Sequence, residues 1–465
     1  MKRILFTIVM TIAFFSSNCH AQGFFSLQGP SYLYGSPIVD FPELTSSIVR
    51  QYQDNFSVHY CSDVNGNHYF VLTENDRYEK TIVASFPTFL DVHDFEIFDR
   101  IVYFCGTQPM NSISGGFVGF ISVDDLFFNN GQYTFGFINY IVTAPRASMT
   151  SVDRLDVFET GGVVHLAVVG DQVQGANISP SYRRTVGDLW IDPSSGNWTG
   201  RILYQKDNHN KPMDITCTEN HVVASAFDDT YDKVILLVFD KTSGFTDFPT
   251  YADALAIKSY CQLADRDVRV ERLQGDDVAL SYCYYNPRTS KSGTALLYLQ
   301  NVAAYPFFPN YWAIHIDHTL SFGLRSLRSN HARDRVYLLQ DMETPIWSNR
   351  TSSVIDFDIN AYPALNVHVW GTGHASLFSL DVRGCREDLS MGGNANSTLK
   401  PLFSFGRLGD AGCMTSVVPY YDDITPDVVI GVAKHENQVN VWWPVRPSSA
   451  FYPNPKQCFS NVICK

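Results

Sequence analysis

The chain has 465 residues, with 34 Lys and Arg against 47 Asp and Glu, a formal net charge of −13 and 14% aromatic residues. That acidic balance repels a phosphate backbone and excludes nucleic acid as a default partner. By length alone, two or three ordinary domains would be expected.

The chain opens "MKRILFTIVMTIAFFSSNCHA". Lys2 and Arg3 form a basic start, Ile4 to Phe15 is apolar, and small and polar residues follow to Ala21. This is the layout of a secretory signal peptide over 1–21 and predicts an extracytoplasmic protein. The apolar run is shorter than the ~20 residues a membrane span needs. A lipid anchor at Cys19 is the lesser alternative, because "SSN" lacks the apolar residue such a site wants. No later segment reads as a transmembrane helix.

Residues 22–48 read as an N-terminal segment, 49–446 as one repeated architecture and 447–465 as a tail. Helical periodicity is nearly absent. Runs of five to eight residues rich in Val, Ile, Phe and Tyr, divided by Gly, Asn, Asp and Pro, predict an all-β chain. "NFSVHYC", "HYFVLTE" and "TIVASF" supply three strands at the start. The "SDVNGNHYF" between them has the early donors of a calcium loop but no closing acid, and Asn65-Gly66 reads as a hairpin turn.

A paired motif then recurs: a strand, a short polar break and a stronger apolar strand. It appears as "HDFEIFDRIVYFCGT", "RLDVFETGGVVHLAVVGD", "MDITCTENHVVASAFDD", "DVRVERLQGDDVALSYCYY", "LRSLRSNHARDRVYLLQD" and "MTSVVPYYDDITPDVVIGVAKH". Val102, Val164, Val222, Val278 and Val336 occupy matching places, at steps of 62, 58, 56 and 58 residues. Val428 follows after 92, so an insertion lies within 343–413, where "SVIDFDI", "LNVHVWG" and "SLFSLDV" add strand-like runs. A period near 60 in an all-β chain, with four strands per unit, predicts a β-propeller. Seven four-stranded blades are expected, with six or eight as neighbouring counts and two stacked sandwiches as the competing fold. Both ends look like incomplete blades, so pairing of N- and C-terminal strands is expected to close the ring and remove exposed edges. The chain resembles the broad class of secreted bacterial β-propeller proteins, in architecture only. It lacks the WD dipeptide and the Ser-x-Asp-x-Gly-x-x-Trp box.

Ten cysteines contain no C-x-x-C pair. A disulfide between Cys458 and Cys464 is expected in the tail. Cys385 with Cys413, and Cys261 with Cys283, are weaker pairings. Cys105 and Cys217 sit in apolar strands and read as buried thiols.

The related stretches "IDPSSGNW" (191–198) and "FDKTSGFT" (239–246) read as hairpin turns between third and fourth strands, with Asp starting the turn. No metalloprotease, nucleophile-elbow or phosphate-loop motif is present. "HIDH" at 315 and the sequons at Asn55, Asn177, Asn197, Asn349 and Asn396 read as surface features. In an up-and-down blade, second-to-third-strand loops share one face of the ring. Second strands are expected to end at Thr107, Asp171, Asp228, Tyr285, Asp341 and His435. Carboxylates at a channel mouth suit a cation, a cationic ligand or sugar hydroxyls. Candidate ligand-binding residues are therefore Asp171, Asp228, Asp229, Asp341 and His435, with Trp312 from the aromatic run "YPFFPNYW" as a stacking platform. No catalytic residue, metal ligand or cofactor is assigned. Two functions follow: a binding or scaffold propeller for a glycan or protein partner, or a carbohydrate-active hydrolase or lyase using these carboxylates.

Overall fold

The structure, a computed structural model, describes the strands between Leu33 and Pro444 and many of the turns that join them. Residues 1–32, 175–180, 253–267, 303–310, 343–374, 386–398, 406–412, 420–427 and 445–465, with other short stretches between strands, lie outside the described residues.

After β1 (Leu33–Pro37), the strands fall into consecutive antiparallel sheets. Sheet I is β2 (Leu44–Tyr52), β3 (Phe56–Asp63), β4 (His68–Glu74) and β5 (Thr81–Phe86). Sheet II is β6 (Asp91–Phe98), β7 (Ile101–Met110), β8 (Ile113–Ser122) and β9 (Gly136–Asn139), with a short helix α1 (Val123–Phe128) after β8. Sheet III is β10 (Val142–Ala144), β11 (Ala147–Thr160), β12 (Val163–Gln174), β13 (Ser181–Ile191) and β14 (Trp198–Asp207). Sheet IV is β15 (Lys211–Cys217), β16 (His221–Asp228), β17 (Lys233–Asp240) and β18 (Thr250–Ala252). Sheet V is β19 (Val268–Arg272), β20 (Val278–Asn286), β21 (Lys291–Leu299) and β22 (Tyr311–His318). Sheet VI is β23 (Ser321–Ser329), β24 (Arg335–Met342), β25 (Ala375–Asp381) and β26 (Leu399–Phe405). Sheet VII is β27 (Cys413–Pro419), β28 (Val428–Ala433) and β29 (Asn440–Pro444), with β1 antiparallel to β29 from Leu33 opposite Pro444 to Pro37 opposite Asn440.

Within each of sheets I to VI the strands neighbour one another in chain order. The lead strands β2, β6, β11, β15, β19, β23 and β27 touch in succession, and β27 also touches β2. This up-and-down succession of sheets, packed through their lead strands, is the β-propeller architecture. It explains the continuous apolar runs, because a sheet covered on both faces has no polar side to alternate with. In β7, Val102 and Phe104 pack with Tyr60, Phe70 and Phe86 of sheet I, while Tyr103 and Cys105 pack with Leu155, Leu166 and Val168 of sheet III.

The repeated valines all fall at the starts of second strands. The N-terminal unit, expected to hold three strands, holds four. β2 was hidden because its polar start, "LTSS", and a register shift between Leu44 and Ser46 break the alternation. Of the expected insertion within 343–413, residues 343–374 fall between β24 and β25 and outside the described residues, and only "SLFSLDV" of the three added runs falls among the described strands. Gly66 takes the left-handed φ of +77° in the β3–β4 turn, as a hairpin there requires. Asp240 starts the turn after β17, its carboxylate accepting from the Thr242 amide at 2.7 Å and the Thr242 hydroxyl at 2.6 Å. Cys105 and Cys217 are buried free thiols. Cys19, Cys458 and Cys464 lie outside the described residues, as do the signal-peptide and tail readings.

Acids on the lead strands fasten one sheet to the next. Asp94 of sheet II accepts from the Leu155 amide of sheet III at 3.3 Å. Asp156 of sheet III accepts from the Cys217 amide of sheet IV at 2.7 Å, and Asp214 of sheet IV from the Val270 amide of sheet V at 3.0 Å. Glu271 of sheet V accepts from the Ser329 amide of sheet VI at 3.1 Å. A lead strand leaves edge amides unpaired by its own sheet, and a neighbouring carboxylate satisfies them.

Candidate functional site

The upper face is the end where lead strands begin and second strands turn into third strands. Two irregularities shape it at the seam of sheets II and III. The β6–β7 register shifts between Val92 and Asp94, and the β11–β12 register between Val152 and Arg154. His93 and Asp153 are the extra residues, and such bulges re-aim side chains. Each bulge presses on a glycine of the adjacent second strand. A Cβ on Gly106 would collide with the Asp91 carbonyl oxygen, and one on Gly170 with the Ser151 carbonyl oxygen. The glycines of "CGT" and "VGD" are thus the space that lets both bulges form.

The re-aimed residues meet. His93 Nδ1 lies 3.2 Å from Asp153 Oδ1, and His93 Nε2 lies 3.5 Å from Asp91 Oδ2. Thr107 Oγ1 is 3.4 Å from His93 Nε2. Arg184 of β13 donates to Asp153 Oδ2 and, at 3.3 Å, to Asp171 Oδ1. It also donates to the Pro212 carbonyl of sheet IV at 3.0 Å. The result is a run of alternating charge, Asp91–His93–Asp153–Arg184–Asp171, across two sheets and tied to a third.

Burial pulls the His93 imidazole down, but the Asp153 and Asp91 carboxylates outweigh it and push its pKa up to about 9. Burial raises the Asp153 carboxyl, yet His93 and Arg184 hold it well below the usual range. The hydrogen bond from His93 likewise lowers Asp91. At neutral pH these three groups are therefore fixed as imidazolium and carboxylates. Neither carboxyl is poised to keep a proton at neutral pH, as the acid of a carboxylate pair must.

Asp171 lies inside β12, opposite Ser151 and Arg184, rather than at its end; β12 continues to Gln174 and β7 likewise continues past Thr107 to Met110. The alternation carries on through "VGDQVQ", which turns the predicted loop carboxylate into a strand-borne ion-pair partner. Asp228 ends β16 in register with Lys233, and Asp341 lies in β24 opposite Gly323 and Ala375. These two sit at the upper ends of sheets IV and VI. Trp312, near the start of β22 and opposite Tyr298, lies at the other end of sheet V. Asp229 and His435 fall outside the described residues. Of the predicted residues, the described ion pairs bring Asp171 alone into the II–III run.

Reading the sequence missed His93, Asp153, Arg184 and Phe89. Phe89 precedes β6 in a turn closed by the Leu90 amide donating to the Pro87 carbonyl at 3.2 Å, and it is 50% exposed. Exposure alternates from it: Phe89, Asp91 and His93 reach solvent while Leu90 and Val92 are buried. The signal was present in "FPTFLDVHD", an aromatic in a Pro turn followed by alternate polar residues.

Among the described residues, no group of His, Cys, Asp and Glu is arranged to hold a metal ion, and no helix is long and apolar enough to cross a membrane.

No family model matches the chain, and no curated protein matches it. Among solved structures it is similar to the β-propeller domain of the Trilobed protease from Pyrococcus furiosus, with TM-score 0.44, 8% identity, and coverage of 89% of this chain and 100% of that one. It is similar to the WD40 domain of SCAP from fission yeast, with TM-score 0.39, 8% identity, and coverage of 92% and 96%. It is also similar to the GH93 α-L-arabinofuranosidase of Fusarium graminearum, with TM-score 0.36, 10% identity, and coverage of 91% and 98%. At such identities and TM-scores, none of these likenesses bears on what the chain binds.

Proposed function

We propose that the chain is an exported, seven-bladed β-propeller that binds a glycan or protein partner without transforming it, on the upper face at the seam of sheets II and III. The observation that carries the reading is the Asp91–His93–Asp153–Arg184–Asp171 run. His93, Asp153, Arg184 and Asp171 are each held by a partner on another strand, and Asp91 by His93 of its own strand, so the surface is organised before any ligand arrives. Preorganisation of this kind lowers the ordering cost of binding. The same pairings weigh against the hydrolase or lyase, because His93 and Asp153 are held in single charge states.

Seven sheets in sequence support the blade count, and the antiparallel pairing of β1 with β29 supports closure of the ring by the two ends of the chain. Export rests on the leader-like residues 1–21, with the cell surface or periplasm as destination.

The test is a binding and turnover screen of the chain without residues 1–21 against peptide and oligosaccharide panels. Retention of a ligand without product, weakened by Asp171→Asn or His93→Gln, is expected. Product formation abolished by those substitutions would replace this reading with the enzymatic one.

A further inference from the structure

Resting on that reading, we infer that the II–III seam takes a basic segment of a protein partner, anchored on Phe89 and flanked by Asp91 and Asp171. The charges of the run differ in depth. The side chains of Asp91 and Asp171 are 65% and 39% exposed, while those of the cations paired with them, His93 and Arg184, are 27% and 17% exposed. The carboxylates therefore stand outermost, and the imidazolium and guanidinium lie behind them. An approaching ligand meets negative charge first, although the run is nearly balanced.

An exposed phenyl group precedes the run in the chain. Among the described residues, the large exposed hydrophobics are Phe89, Phe128 and Ile191. Phe128 ends α1 and Ile191 ends β13, both at the lower face, whereas Phe89 stands at the upper face two residues before Asp91. A phenyl face beside a carboxylate suits a Lys or Arg side chain, whose stem packs on the ring and whose head pairs with the acid. Asp91 and Asp171 terminate opposite ends of the run, so a segment with two spaced basic residues can engage both. The net charge of −13 attracts such a segment from a distance.

The test titrates the full chain with a nonapeptide of alternating Arg and Gly, its Glu counterpart and a neutral oligosaccharide. Binding of the Arg peptide is expected, weakened about tenfold by the double variant Asp91→Asn/Asp171→Asn, since two such charges together are worth roughly one decade. Phe89→Ser should weaken it about threefold. Asp124→Asn serves as the control. Asp124 pairs with Arg100 at 2.7 Å on the lower face, and its loss removes one charge without touching the seam. Amide exchange should slow in 87–93, 171–174 and 181–184 when the peptide is added, a readout that an unfolded variant would not mimic.

Equal weakening by Asp124→Asn would reduce the effect to net charge and overturn the inference. So would failure of the Arg peptide to bind. If the oligosaccharide binds instead, the basic partner is wrong and the binding reading survives. If the oligosaccharide is cleaved, both fall.

Discussion

Arg328 of sheet VI reaches Glu96 of sheet II, with Nη1 3.0 Å from Oε1. The same nitrogen lies 3.6 Å from Glu271 of sheet V, and Glu96 also accepts from Arg50 of sheet I at 2.7 Å. One guanidinium thus links sheets that are far apart in the chain, and it does so on the lead strands. Replacing Arg328 with Met leaves buried Glu271 and half-buried Glu96 each short of a partner. A loss of about 2–3 kcal/mol is expected, below the ~3–5 of a fully buried pair because water still reaches part of the group. Urea unfolding of Arg328→Met, and partial recovery in Arg328→Met/Glu96→Gln, check this.

The two seam glycines make a sharper structural prediction. Gly106→Ala and Gly170→Ala should each destabilise by about 1–3 kcal/mol, because the added methyl meets backbone rather than a movable side chain. A substitution at Gly66, where nothing lies within reach of a Cβ, should cost only the strain of its positive φ. Thermal midpoints of the three variants compare the two causes.

His93 sets an alkaline limit. Its folded pKa of about 9 lies above the ordinary 6.5, so its contribution is fully present below pH 6.5 and is lost as pH rises through 9. Stability measured from pH 6 to 10 should fall across that window in the native chain. The fall should be shallower in His93→Gln.

His59 sets an acid limit of opposite origin. It is fully buried in β3, neither ring nitrogen has a hydrogen-bond partner among the described residues, and burial lowers its pKa from 6.5 to about 3. Above pH 6.5 it is neutral in both states. As pH falls from 6.5 towards 3 the unfolded chain takes up a proton that the native one refuses, so stability is lost, by at most about 1.4 kcal/mol per pH unit. His59→Leu should flatten that part of the acid unfolding curve, and it removes an orphaned polar group worth about 1–3 kcal/mol.

Much of the fold was legible because it is periodic. Val102, Val164, Val222, Val278 and Val336 marked second strands, since a blade must bury both faces of its middle strands and little else reads as so continuously apolar. β2 was not legible, because a lead strand carries inter-sheet polar contacts, and its register shift breaks the alternation that identifies a strand. The upper face was predicted from topology, and Asp171 lies on it. His93 and Asp153 were not found, because a bulge is a property of register between two strands. Within one strand, "DVHDFE" gives no sign that His93 is the extra residue. Gly106 and Gly170 carried that information, but a strand glycine alone does not reveal what presses against it. Arg184 was hidden in "YRRTVGD", where nothing local distinguishes an ion-pair arginine from a solvated one.

The most direct test of the account is product analysis combined with amide exchange on the chain incubated with the peptide and oligosaccharide panels. The account predicts stoichiometric retention of a ligand, protection of residues 87–93, 171–174 and 181–184, and no new product. Release of cleaved product that disappears in Asp171→Asn, or protection confined to the lower face around Phe128 and Ile191, would contradict it.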